Sequence, residues 1–316
     1  MLLVSCCYLL LYTQIESSLH RCHVPRVRDH ETATLHHITH VPPHEPDAKI
    51  APFISTAKIG SGTEDDPFII YRNSQLMDKD NLKHLRLVCI SDTHNKIDRI
   101  HIPNGDIFIH CGDAVKYLTS GRDLIRFNQF VGQLPHRYKL FISGNHCICL
   151  DPTRPDLTQQ ILTNMTYLQD QLIEIEGVRI YGSPWRPKRG LIYPAEAFGY
   201  DSKRIRDDIW SNIPENIDIL LTHGPPYSVR DYHPMTDELI GCPGLLDEVV
   251  TRVRPRIHLF GHMHECRGAS LYKSVDNQIL EGEKYNANSN DILFVNLAVT
   301  LGRKLGEPVV IDYYYS

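Results

Sequence analysis

The sequence predicts an α/β protein, and three observations carry that expectation. Short apolar, β-branched runs recur along the chain, and amphipathic helical stripes lie between them. Several of the runs stop abruptly at Asp, Asn or His, usually beside a glycine that lets backbone approach closely. Strands interleaved with helices place the helices over the faces of a sheet. Residues at the carboxyl ends of neighbouring strands then converge on one crevice, where open α/β sheets bind their ligands.

Taken in order, residues 1–12 (M-L-L-V-S-C-C-Y-L-L-L-Y) are apolar but too short to span a bilayer. No basic residue precedes them and no small-residue cleavage site follows, so the expected location is cytoplasmic, with secretion as the alternative. Residues 13 to 80 are rich in Pro and His, including His36, His37, His40 and His44. These histidines keep no ligand spacing, so residues 1–80 read as a mobile or loosely packed N-terminal extension rather than a metal-binding tail. Residues 60–67 form a loop, and one large domain is expected over residues 81–316.

The first clear strand holds Leu87, Val88 and Ile90 and stops at Ser91-Asp92-Thr93-His94. Asp92 and His94, two positions apart, point the same way if the strand geometry persists for one more step. Alone, D-x-H is more often a polar loop than half a cation site. The design recurs, however. Ile107-Phe108-Ile109-His110-Cys111 runs into Gly112-Asp113, and Lys139-Leu140-Phe141-Ile142-Ser143 into Gly144-Asn145-His146. Ile217-Asp218-Ile219-Leu220-Leu221 runs into Thr222-His223-Gly224, and Arg256-Ile257-His258-Leu259-Phe260 into Gly261-His262-Met263-His264.

Helical stripes separate these strands: Leu124, Phe127, Val131 and Leu134; then Leu157, Ile161, Leu162 and Met165. A third, Leu245, Leu246, Val249, Val250 and Val253, opens at Pro243 and closes before Pro255. Further strands are expected around residues 178–181, 292–295 and 308–311, with a polar loop or hairpin over 271–291.

Composition is that of an ordinary soluble protein, 42% apolar and 22% charged, and the net charge of −5 argues against a dedicated polyanion binder. Stable nucleic-acid binding is not expected. The basic run over residues 251–256 falls at a helix C-terminus, where it complements the helix dipole. Nine cysteines without a CxxC spacing read as reduced thiols of an intracellular protein. The Asn164-Met165-Thr166 sequon matters only if the chain is secreted. The oligomeric state is left open.

The set D-x-H (Asp92, His94), G-D (Asp113), G-N-H (Asn145, His146), H-G-P (His223) and G-H-x-H (His262, His264) resembles the calcineurin-like metallophosphoesterase superfamily. The closer likeness is to the animal metallophosphoesterase-domain-containing proteins, an apparent cyclic-nucleotide phosphodiesterase branch. C-I-S-D-T-H at 89–94, Y-L-Q-D at 167–170, R-I-Y-G-S-P-W at 179–185 and R-V-R-P at 252–255 support it, and it covers residues 85 to 313.

The resemblance implies a two-sheet αββα sandwich with helices on the outer faces and two divalent ions about 3.5–4 Å apart. Asp113 would bridge them; Asp92, His94 and His264 would complete one site, and Asn145, His223 and His262 the other. Mixed imidazole, carboxylate and amide ligands suit Mn, Fe or Zn, with Mn favoured. The implied activity is hydrolysis of phosphodiesters, most readily cyclic nucleotides, by in-line attack of a water acidified between the ions. His146 would protonate the leaving oxygen as general acid.

Cys147 stands where the family usually has an acidic residue after G-N-H, which opens the alternative of a catalytically weak, metal-bound binding or scaffold protein. A phosphoesterase for another small phosphate ester is the other alternative. Gly112-Asp113-Ala114-Val115-Lys116 lacks the acidic and arginine residues that follow G-D in Ser/Thr protein phosphatases. On the substrate side, Trp185 could stack on a base or close over the core, and Arg186 and Arg230 could meet phosphate.

Overall fold

The computed structural model describes residues 39–41, 60–72, 82–117, 121–188, 196–200, 208–281 and 290–315. Residues 1–12 and the histidines His36, His37 and His44 lie outside the described residues.

The strand Lys83–Ile90 shows why the apolar runs are nearly continuous. Leu87 and Cys89 point into a core shared by two facing sheets, while Val88 and Ile90 point outward under a helix. A strand buried on both faces needs apolar residues at successive positions. It pairs in parallel with Ile107–Cys111, which pairs in parallel with Tyr138–Ile142. The six-stranded sheet runs Phe68–Tyr71, Val309–Tyr315, Lys83–Ile90, Ile107–Cys111, Tyr138–Ile142, Thr166–Tyr167.

The facing sheet has eight strands and a parallel centre. Val178–Ser183, Ile219–Thr222, Ile257–Phe260 and Ile292–Asn296 run side by side in one direction. Between the sheets, Leu87, Cys89, Ile107 and Ile109 share one core with Ile219, Leu221, Ile257 and Leu259. On one outer face the helix Gly121–Gly132 buries Leu124, Phe127 and Val131 against Phe108 and Phe141. On the other, Pro243–Glu248 and its continuation bury Leu245, Leu246, Val249 and Val250 against Leu220, Phe260 and Phe294. Burial of each such Leu, Val or Phe contributes about 1.5–3 kcal/mol. The layering is αββα, as the resemblance implies.

Three elements differ in detail from their sequence patterns. The helix Pro155–Ile161 ends before Leu162 and Met165, which are buried beyond its last turn as the chain turns into Thr166–Tyr167. The third helix widens to a π turn over Val249–Val253 and stops at Arg254 in the left-handed conformation (φ 47°). There Arg252 reaches Glu248 at 2.6 Å and the carbonyls of Ile213 and Trp210, so it pins the helix end to the preceding loop. Within 271–291, Gly268–Lys273 and Gln278–Glu281 form an antiparallel hairpin that extends the larger sheet, because Leu271 and Ile279 bury inward.

Residues N-terminal to position 80 also enter the sheets. Phe68–Tyr71 pairs in parallel with Val309–Tyr315, and Thr39–Val41 with Gln278–Glu281. No helix among the described residues is long and apolar enough to cross a membrane. Cys89, Cys111, Cys147, Cys149, Cys242 and Cys266 are free thiols.

The sheets are stitched together at one end. Ser91 N–H donates to Leu297 O at 3.2 Å, and Val299 N–H donates to Ser91 O at 3.0 Å. The stitch lies where the parallel strands of both sheets end.

Candidate metal centre

All seven ligand-type residues expected from the motifs arrive at this end, six just beyond strand termini and His264 at the start of a 3-10 turn. The chain must turn sharply there, and Asp92 (φ 58°), His94 (φ 44°), Asp113 (φ 54°) and His262 (φ 68°) all adopt left-handed backbone. Such conformations are uncommon for residues with a Cβ and cost on the order of 1–3 kcal/mol each. They are held by neighbouring backbone: Asp92 N–H donates to Gly112 O at 3.0 Å and His94 N–H to Asp113 O at 3.1 Å. Gly144 and Gly261 have no room for a side chain, because a Cβ would collide with the Asp113 and Asp92 carboxylates respectively.

Each carboxylate spends one oxygen on backbone and turns the other inward. Asp92 Oδ2 accepts from His262 N–H at 2.9 Å, leaving Oδ1 at 3.3 Å from His264 Nε2 and 3.9 Å from His94 Nε2. Asp113 Oδ1 accepts from His146 N–H at 2.9 Å, leaving Oδ2 at 3.4 Å from His223 Nε2 and 3.8 Å from His146 Nε2.

The imidazoles are oriented in the same way. His223 Nδ1–H donates to Cys111 O at 2.9 Å, which turns Nε2 inward, 2.9 Å from Asn145 Oδ1. His94 Nδ1 lies 3.3 Å from Val115 O, and its Nε2 faces His264 Nε2 at 3.1 Å. Lone pairs aimed at one another repel unless a proton or cation lies between them. Three overlapping groups have ligand atoms within 4.8 Å of one another: Asp92, His94, His264; His94, Asp113, His146; and Asp113, His223, His262. His94 is shared by the first two groups and Asp113 by the last two.

Electrostatics favour positive charge here. Burial alone would push the Asp92 and Asp113 carboxyls up, yet the surrounding imidazoles outweigh it and hold both below the usual carboxylate range. Burial disfavours protonated His223 and His264, but the carboxylates of Asp113 and Asp92 more than offset it. His262 goes the other way, pushed well down by burial and then by the Arg186 guanidinium. The carboxylates that favour a proton on His223 and His264 would hold a divalent cation in its place, so the donor set fits such ions.

The substrate-side residues are engaged with protein groups. Trp185 Nε1–H donates to Asp170 Oδ2 at 2.6 Å, with its ring 5.7 Å from Phe198. Arg186 is buried and pairs with Glu196 at 2.8 Å. Arg230 donates to Ser270 Oγ at 2.8 Å and to Ala269 O.

Two supporting residues escape the motif reading. Thr300 Oγ1 donates to Asp92 O at 2.7 Å, and Asn296 Nδ2 donates to Met263 O at 2.8 Å. Their one sequence signal is polar residues at and just beyond the end of an otherwise apolar strand, I-L-F-V-N-L-A-V-T.

A two-sheet αββα sandwich that gathers Asp, Asn and His from its strand ends into adjoining cation cradles defines a metal-binding α/β protein. The chain belongs to the calcineurin-like phosphoesterase family, whose sequence profile matches residues 85–266. It is 38% identical over 207 residues to metallophosphoesterase domain-containing protein 1 of Homo sapiens, covering 58% of this chain and 62% of that protein. It is 36% identical over 204 residues to a UPF0046 protein of Caenorhabditis elegans, covering 60% of this chain and 67% of that one. The chain thus spans less than two thirds of the length of the human relative. The Mycobacterium tuberculosis phosphopantetheinyl hydrolase structure aligns at a TM-score of 0.46 and 12% identity, over 67% of this chain and 88% of that one.

Proposed function

We propose that the protein is a dinuclear-metal-dependent phosphodiesterase acting on small phosphodiesters, with cyclic nucleotides as the favoured class. The observation that carries the proposal is the convergence of ligand atoms in three overlapping groups, chained together by His94, shared by the first two, and Asp113, shared by the last two. Asp92, His94 and His264 would hold one ion, and Asn145, His223 and His262 the other, with manganese the favoured metal. Two such ions supply an acidified water as nucleophile and neutralise charge developing on the phosphoryl oxygens.

The chain's own residues do the rest. His146 Nε2 stands 3.8 Å from Asp113 Oδ2 at the mouth, placed to give a proton to a leaving alkoxide. Burial pushes its pKa down, which makes its proton easier to give up and its charged form scarcer at neutral pH. Trp185, its orientation fixed by Asp170, is the candidate stacking surface for a base. Arg186 and Arg230 are the candidate phosphate contacts, although both guanidinium groups are already held by protein acceptors. Residues 81–316 would form the catalytic domain, with Phe68–Tyr71 and Thr39–Val41 added to its two sheets, and the free thiols among the described residues accord with a cytoplasmic location.

A second reading, a weak catalyst retained for binding, has one specific observation in its favour. His146 Nδ1 is buried with no hydrogen-bond partner among the described residues, and Cys147, next in the chain, is a fully buried thiol. The deciding experiment is metal analysis followed by a panel of 2′,3′- and 3′,5′-cyclic nucleotides and an aryl phosphodiester with Mn, Fe or Zn. Two bound ions with cyclic-nucleotide turnover is the expected result. Two bound ions with no turnover of any phosphodiester favours the binding protein, and no divalent binding overturns the metal centre itself.

A further inference from the structure

Two buried histidines outside the ligand set occupy equivalent places in the two sheets. His110 lies in Ile107–Cys111, beside Ile90 in the register, and the strand continues into Gly112-Asp113. His258 lies in Ile257–Phe260, beside Leu220, and that strand continues into Gly261-His262. Both are fully buried, and each points to the outer face of its sheet, away from the shared core. His110 packs against Phe127 and Phe141 (5.0 and 5.6 Å between centroids), His258 against Phe260 and Phe294 (5.3 and 5.5 Å).

Each ring makes one hydrogen bond, and both bonds go to the same kind of partner. His110 Nε2 meets Thr93 Oγ1 at 3.0 Å, and His258 Nε2 meets Thr222 Oγ1 at 2.8 Å. Thr93 separates Asp92 from His94, and Thr222 precedes His223. The Thr222 hydroxyl gives its only proton to Gly224 O at 2.8 Å, so His258 must donate through Nε2–H. Thr93 makes a longer, weaker contact of the same kind with Ala114 O at 3.4 Å, and a donating Nε2–H on His110 avoids burying an unpaired Nδ1–H. Nδ1 of both rings is then a bare lone pair, consistent with neither having a partner among the described residues. A leucine at either position would avoid burying a polar ring, and the cost is met only if the bond to threonine is used.

We infer that His110 and His258 are positioning residues, each locking the threonine beside one half of the metal cradle to the neighbouring strand that carries the next ligand loop. Thr93 bonded to His110 ties the Asp92–His94 turn to the Asp113 strand. Thr222 bonded to His258 ties His223 to the His262 strand. Ligand loops on adjacent strands are thereby held at one separation before any ion arrives, which lowers the ordering cost of binding. The inference rests on the metal-centre reading above.

The test is Mn(II) titration calorimetry on the metal-stripped full chain, with circular dichroism and melting temperature on every variant. His110→Leu should weaken the step assigned to the Asp92 side, and His258→Leu the step assigned to the His223 side, each by about 10–100-fold. His110→Gln and His258→Gln, which keep a donor near Nε2, should restore most of the affinity. Should either leucine variant misfold, Thr93→Val and Thr222→Val break the same bonds from the other end at nearly constant volume, with the same loss expected. Folded leucine or valine variants that bind Mn(II) as tightly as wild type would overturn the inference while leaving the metal centre standing. Equal loss in the leucine and glutamine variants would also overturn it, since packing rather than the donor would then matter. Wild-type protein that binds no Mn(II) removes both.

Discussion

The metal cradle and the two residues that follow Asn145 are adjacent in the chain and opposite in how they are held. In the cradle, Asp92 is fixed by His262 N–H, Asp113 by His146 N–H, and His223 by Cys111 O. His146 has no such anchor on its ring. Its Nδ1 is buried without a hydrogen-bond partner among the described residues, and its neighbours are the edges of His94 and Tyr117, 4.7 and 6.2 Å away. Burial pushes the Cys147 thiol far up, so the residue that follows His146 in the chain stays neutral and supplies no anion. The difference teaches that the proposed ion binding and the proposed proton delivery rest on separate supports. The first is over-determined by several elements, and the second is left to packing.

The largest effect expected from breaking that contrast is on the cradle. Asp113→Asn removes the shared negative charge and leaves two cations repelling each other, so metal occupancy and turnover should both fall to background. Elemental analysis beside an aryl phosphodiester assay reads it. Activity near wild type with both ions bound would remove Asp113 from the bridging role.

The acid side should respond differently. His146→Ala should leave metal content intact and slow departure of a ribose alkoxide by about 10²–10⁴-fold. A nitrophenolate, already a weak base, should lose far less. Equal losses on both leaving groups would reduce His146 to a positioning residue. Cys147→Glu should raise alkoxide turnover selectively if an anion next to His146 is what this chain lacks.

The smallest effect concerns the layer behind the cradle. Burial pushes His110 and His258 down to about 3 from an ordinary value of 6.5. Their folded-state pKa values are depressed, so the unfolded chain binds more protons between those limits, and stability falls as pH drops through that window. Chemical denaturation of metal-free protein at pH 6.5 and at pH 4.5 should show the fall. His258→Gln should flatten it by about 1–3 kcal/mol, reckoned from 1.36 kcal/mol per pKa unit. A pH dependence unchanged in that variant would mean the ring is already protonated when folded.

By itself the sequence determined the buried strands, the first and third helical stripes and the order of the ligand-type residues, whereas the second stripe outran its helix at Ile161. Each of those is written locally. A buried strand needs apolar residues at successive positions, and a ligand at its end needs Asp, Asn or His beside a glycine such as Gly144 or Gly261. Tertiary structure alone decided what crosses between segments distant in the chain. Whether Trp185 faces solvent or leans on Phe198 depends on Asp170, and Arg230 is captured by a hairpin 40 residues on. The Thr93–His110 and Thr222–His258 bonds link neighbouring strands 17 and 36 residues apart. Their trace in the sequence is a single histidine inside each apolar run, I-F-I-H-C and R-I-H-L-F. Such a histidine looks the same whether it is spare or bonded, because its partner is chosen by strand register, and register is fixed only when the sheets close.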